Sequence, residues 1–250
     1  LFLIRLPRFE KKEEGKQGDF FKQLIGKASQ LYSGLSHLKS KGRIDTWLNG
    51  EERITFEIAS PTNEEEIGFY VAVPKQFEIE AQKAIYGVYP DAKMEKVVDD
   101  YTIFTSENFV AGSHVYLQEN DLLPVRAFQE FDSDPLGQIA SSLSRVPHYK
   151  GATMQIVISP VSPKWYKAGK NIIEQLKKGK TFGELTELFK GIKGDAKQKK
   201  EEPSVDNEII EAISKKISRP AFYTNIRLVA SAPTPEEAEN ILQELEQPFF

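Results

Sequence analysis

The sequence predicts an α+β fold made of two related split βαβ halves, with a helical insertion in the second half. Three observations carry that prediction. Short runs alternate apolar with polar residues, and the stretches between them place apolar residues three or four positions apart. One unit, a strand closed by proline and followed by a helix, occurs twice, at Phe69-Tyr-Val-Ala-Val-Pro74 and at Arg227-Leu-Val-Ala-Ser-Ala-Pro233.

In chain order, residues 1–18 join an apolar stub, Leu1 to Ile4, to a mixed-charge stretch from Arg5 to Lys16 with no apolar face, which predicts a solvated lead-in. From Asp19, the spacing of Phe20, Phe21, Leu24, Ala28, Leu31 and Leu35 predicts a helix. Ile54, Phe56 and Ile58, then Ile67, Phe69, Val71 and Val73, predict two strands of a hairpin. Pro74 closes the second strand, and Phe77, Ala81, Ile85 and Val88 follow helical spacing up to Tyr89-Pro90-Asp91. Weaker strands are expected near Lys93 to Val98, His114 to Gln118 and Pro124 to Phe131. Asp134 as N-cap with Pro135 behind it opens a helix carrying Leu136, Ile139 and Leu143, and Thr153 to Ser159 forms a strand. From Ile67 to Ser159 the order is strand, helix, strand, strand, helix, strand, the arrangement of ferredoxin-like sandwiches.

Beyond Pro160, helices are expected around Trp165 to Leu176, Phe182 to Phe189 and Val205 to Ile217, with residues 191–204 as a mobile polar loop. Phe222, Thr224, Ile226, Leu228 and Ala230 alternate as a strand, and Thr234-Pro-Glu-Glu237 opens a last helix with capping-box spacing. The implied division is a lead-in at 1–18, a first ferredoxin-like half at 19–160 and a second at 161–250. No strand follows the last helix, so the C-terminus is expected to be truncated and the stripe of Ile241, Leu242 and Leu245 partly exposed.

Composition narrows the function. The 250 residues are 40% hydrophobic and 28% charged, with a formal net charge of −4. No apolar run approaches the ~20 residues that cross a bilayer. The absence of Cys excludes disulfides, thiolate metal sites and cysteine nucleophiles. The acidic balance argues against a general nucleic-acid coat.

Motifs that suggest chemistry mostly have simpler readings. Gly179-Lys180-Thr181 resembles the end of a phosphate-binding loop, but Glu174 stands where that loop needs its first Gly, so a helix C-terminal stop is expected. His37, His114 and His148 show no ligand spacing, and Asp132 and Asp134 suit capping better than acid–base work. No catalytic, cofactor or metal residue is assigned. Lys197, Lys199 and Lys200 are candidate phosphate contacts on the polar loop. Tyr70, Tyr223, Asn225 and Arg227 all fall on the strand face opposite the apolar stripe, so they are the candidate contact residues of an exposed sheet surface.

Phe69-Tyr-Val-Ala-Val-Pro74, Glu80-Ala-Gln82, Tyr86-Gly-Val-Tyr89-Pro-Asp-Ala92, Phe131-Asp-Ser-Asp134-Pro-Leu136 and Ile158-Ser-Pro160 with Trp165 resemble the accessory region of type IV secretion coupling-protein-like ATPases of conjugative DNA transfer. The resemblance covers roughly residues 20–250. It implies a non-catalytic assembly or adaptor domain, held at the inner face of the membrane through its parent protein. Its partners would be proteins of the secretion complex, or a second copy of itself, with DNA contacted only indirectly. It implies no cofactor, and the motor's phosphate-binding loop is absent from this chain. Two other readings stand beside it: a module binding single-stranded DNA through the loop lysines and strand aromatics, and a standalone enzyme of unrecognised type.

Overall fold

A computed structural model of the chain describes residues 1–6, 17–38, 52–64, 66–125, 135–185 and 207–249. The chain divides into two compact units: Leu1–Tyr116, Ala127–Pro160 and Phe222–Phe250 form one, and Leu117–Arg126 with Val161–Ala221 form the other. The division expected at residue 160 differs from this, because residues 222–250 belong with the first unit.

The first unit is a mixed α+β structure around one antiparallel sheet of seven strands. Its elements are β1 (Phe2–Arg5), α1 (Gln17–Leu35), β2 (Ile54–Ser60), β3 (Gly68–Ala72), α2 (Glu78–Val88), β4 (Lys93–Lys96), β5 (Phe109–Val115), α3 (Pro135–Leu143), β6 (Gly151–Pro160), β7 (Phe222–Ala232) and α6 (Pro235–Glu246). The strands lie in the order β4-β1-β3-β2-β6-β7-β5. Period-two alternation gives β2 and β3 one apolar side, and the register sets Phe56 opposite Val71 and Ile58 opposite Phe69. The helices pack on that side. Leu31 and Leu35 of α1 and Ala81 and Ile85 of α2 meet Ile54, Val71 and Ile158. Ile139 and Leu143 of α3 and Ala238, Leu242 and Leu245 of α6 meet Met154, Leu228 and Ala230.

Residues 2–5 are not a solvated lead-in. They form a strand inside the sheet, with Phe2 opposite both Val71 and Lys96 and only 4% exposed. Four consecutive apolar residues ahead of a charge run carry no period, so the pairing was invisible in the sequence. With β1 included, the first four strands follow the chain order strand, helix, strand, strand, helix, strand and lie as β4-β1-β3-β2. Then β5, α3, β6, β7 and α6 repeat the first five elements, with strands lying as β6-β7-β5. The expected run from Ile67 to Ser159 therefore straddles these two sets. Its strand at residues 114–118 is replaced by β5, seven residues long and starting at Phe109. The strand expected from Pro124 is absent at residues 124–125 and otherwise falls outside the described residues.

The final helix begins as its sequence requires: the Thr234 hydroxyl accepts from the Glu237 N–H at 3.3 Å, with Pro235 in the first turn. Its apolar stripe is buried rather than exposed, since Leu242 is 5% and Leu245 0% accessible and Ile241 packs on the same cluster. Three strands already supply enough surface for α3 and α6 to cover.

The second unit contains α4 (Pro163–Lys177) and α5 (Asn207–Ile217), packed through Ile172, Leu176 and Ile213, with Leu122 and Leu185 beside them. Gly169 allows this closeness, because a Cβ there would lie 2.8 Å from Ile217 Cγ2. The Lys216 ammonium donates to the carbonyls of Asp121 and Leu123, each at 2.6 Å. The ends of its longer segment meet where Val161 N–H donates to Ala221 O at 3.0 Å, so the β6–β7 ladder runs on to Pro160 opposite Phe222. No helix among the described residues is long and apolar enough to cross a membrane.

Leu245→Ala should cost about 2–5 kcal/mol in urea unfolding, as expected for truncating a fully buried leucine. Gly87→Ala, whose Cβ would meet nothing within 4 Å on α2, should instead stabilise by up to about 1 kcal/mol. Loss at both positions would contradict the packing described.

Candidate functional site

The described helices of this unit cover one face of the sheet and leave the other free of helices. On that open face the register aligns one residue from every strand in a transverse row: Glu95, Leu3, Tyr70, Glu57, Gln155, Arg227 and His114. Its two ends are exposed and its middle is buried.

What buries the middle is residues 97–108. They join β4 to β5, which lie at opposite edges of the sheet. Six strand spacings amount to about 29 Å, within the roughly 40 Å that such a segment can span when extended. The segment crosses the open face. The Tyr101 hydroxyl donates to Glu57 Oε2, and its ring stacks on Tyr70 with centroids 4.4 Å apart. Gln155 Nε2 donates to Glu57 Oε1 at 3.1 Å, and Thr153 Oγ1 donates to the Ile58 carbonyl at 3.2 Å. Farther along, Ile103 is 3% exposed above Gly151, where a Cβ would lie 2.3 Å from the Ile103 carbonyl oxygen. Gly68 has a matching role, since a Cβ there would stand 2.3 Å from the Tyr70 ring.

Tyr70 is therefore no contact residue. It is 5% exposed, sealed under Tyr101. The other three candidates share one strand and one face: Tyr223, Asn225 and Arg227 alternate along β7, with Tyr223 43% exposed and Arg227 Nε donating to Asn225 Oδ1 at 2.8 Å. That bond holds the guanidinium along the strand beside Gln155 on β6 and His114 on β5. None of the three strands β5, β6 and β7 carries an Asp or Glu. This part of the open face thus combines an aromatic ring, an amide and a cation with no acid on its strands.

The candidate phosphate contacts Lys197, Lys199 and Lys200, the loop 191–204 and the pair Asp132 and Asp134 lie outside the described residues. Gly179-Lys180-Thr181 ends α4 as expected: Gly179 has φ 86°, and Lys180 N–H donates to Gln175 O at 3.2 Å. Thr181 then caps the following turn reciprocally with Glu184. Among the described residues no three His, Cys, Asp or Glu side chains gather as a metal site would require.

Sequence inspection missed the cluster of Glu57, Tyr101 and Gln155. The only available signal was a glutamate at the centre of a strand, which alternation alone assigns to solvent. Burial pushes the Glu57 carboxyl above its ordinary 4.5, and the hydrogen bonds from Tyr101 and Gln155 pull the other way. The Tyr101 hydroxyl is likewise raised, chiefly by burial and then by that carboxylate. The cluster fastens the crossing segment to the sheet.

A carboxyl whose folded value lies above its unfolded one contributes stability that is complete below the unfolded value and is lost as pH rises through the folded value. Wild type should therefore gain on Glu57→Gln as pH falls from about 7 toward 4.5, read from paired urea midpoints. A gap that does not vary with pH would sink this account. Tyr101→Phe should cost about 1–3 kcal/mol, because it leaves a buried carboxylate short of a donor.

Residues 21–249 match the family model described as a domain of unknown function, DUF8128. No curated protein matches the chain.

Proposed function

Starting from a chain that belongs to the DUF8128 family, we propose that it is a non-catalytic adaptor built as two ferredoxin-like halves, the second interrupted by a helical unit. It acts as an assembly domain of a conjugative, type IV secretion ATPase, at the inner face of the membrane through its parent protein. The repeated element order, with strands lying 4-1-3-2 in the first half and three strands in the corresponding order in the second, supports the architectural part. The resemblance of Phe69 to Pro74, Tyr86 to Ala92 and Ile158 to Pro160 supports the assignment to the motor.

One observation carries the adaptor reading. The outward side chains Tyr223, Asn225 and Arg227 stand on a rigid strand, while the titratable cluster on the same face is shut beneath a segment of the chain. Tyr and Arg are the residue types that anchor protein interfaces, because they give large contact areas and directional hydrogen bonds. A buried Glu57 closed off by Tyr101 suits fastening better than turnover.

Reading the encoding gene beyond both ends tests the assignment. A phosphate-binding loop following a strand downstream, with apolar spans upstream, is the expected result, and a stop directly after Phe250 would overturn it. With the purified motor immobilised, Arg227→Glu should weaken binding of the chain at least ~10-fold, about 1.4 kcal/mol, with its melting temperature unchanged. Unchanged binding would remove the β7 stripe from the interface. A fluorescent oligonucleotide bound with steep salt dependence would instead favour the single-stranded DNA module.

A further inference from the structure

The two edges of the sheet differ. β4 is four residues long and guarded by charge: Arg5 pairs with Glu95 at 2.9 Å, and Lys96 with Glu78 at 2.8 Å. Such short, charged edges resist further pairing. β5 is seven residues long and contains no Asp, Glu, Lys or Arg. All seven of its residues pair with β7, and no described strand lies on its other side. Exposed apolar side chains stand along this strand: Phe109 is 53% exposed and Val110 56%, with Tyr116 74% exposed directly after it.

The corresponding place in the first four strands is filled. There β4 lies antiparallel beside β1, with Met94 opposite Ile4 and Glu95 opposite Leu3. β5 holds the position of β1, since each opens its set of elements and is paired on its inner side by the strand that precedes a helix, β3 or β7.

We propose that the β5 edge is a docking site for an extended polypeptide segment, which adds as an antiparallel eighth strand in the place that β4 takes beside β1. The chemistry of both faces defines the occupant. Residues facing the helices lie beside Ala111, Ser113 and Val115 and are apolar, as Met94 is on β4. Residues facing the open side lie beside Val110, Gly112 and His114 and extend the row Gln155, Arg227, His114. Strands β5, β6 and β7 contain no acid, and Arg227 on β7 stands next to His114 in the row, so an acidic residue opposite His114 supplies the negative charge that this end of the open face lacks. Main-chain hydrogen bonds supply affinity, and the acid–apolar alternation supplies selectivity. This inference rests on the adaptor reading only in taking the ligand to be polypeptide. A gene without a motor would overturn that assignment and leave the titration below unaffected.

The probe is a capped heptapeptide alternating valine with glutamate, titrated into the isotopically labelled chain and compared with its lysine counterpart. The expected result is amide shifts and slowed hydrogen exchange confined to residues 109–116, with the glutamate peptide binding at least ~10-fold more tightly at low salt. In Arg227→Glu, folded as judged by an unchanged amide pattern elsewhere, that preference should vanish or reverse. Three outcomes overturn the proposal: no shift at residues 109–116, equal binding of both peptides, or sedimentation showing the edge already closed by a second copy of the chain.

Discussion

The antiparallel pairing of β2 with β6 is the constraint on which the rest of the sheet depends. Seven residue pairs, from Ile54 opposite Ile158 to Ser60 opposite Ala152, join strands that would otherwise be the outer edges of two separate sheets. That seam makes one continuous floor, so Ile158 of β6 can contribute to the cluster under α1 and α2 while Met154 of the same strand belongs to the cluster under α3 and α6. It also aligns Glu57 with Gln155, which completes the cluster that fastens residues 97–108. A one-residue slip in the seam would turn Glu57 toward the helices and Ile58 toward the open face.

The open face follows from a connection problem. The chain must pass from one edge of the sheet to the other, and the helices occupy the opposite side. Crossing the open face spends part of it as an interior: Tyr70 and Glu57 become buried, and Gly68 and Gly151 are required because a side chain would collide with Tyr70 and Ile103. The two ends of the row, at Glu95 and at Arg227 and His114, stay exposed.

Much of this was legible in the chain itself. Alternation located β2, β3, β6 and β7, and the Thr234 cap and the Gly179 stop could be placed from residue type alone, because those signals are local. What failed was non-local. Phe2 is buried by Val71 and Lys96, residues about seventy or more positions away, and nothing in Leu1 to Ile4 encodes that pairing. Tyr70 has the strand parity of an exposed residue, and only the fold reveals the Tyr101 ring lying over it. The boundary near residue 160 misled because a separate unit sits between two strands that pair directly. The two strand–proline–helix segments were recognisable as alike, yet their strands β3 and β7 lie in one sheet with β2 and β6 between them.

The closure at Val161 and Ala221 has a consequence for how such a chain can vary. Because residues 161–221 leave and re-enter at one hydrogen bond, β6 and β7 pair across that segment as they would across a hairpin connection. Loop-closure entropy grows only with the logarithm of length, so that connection can shrink to a turn or grow to a domain at a cost of about 0.6 kcal/mol per doubling. The β6–β7 junction is thus a place where the inserted segment can change in length while the strands on either side of it, and the seam between β2 and β6, keep their register.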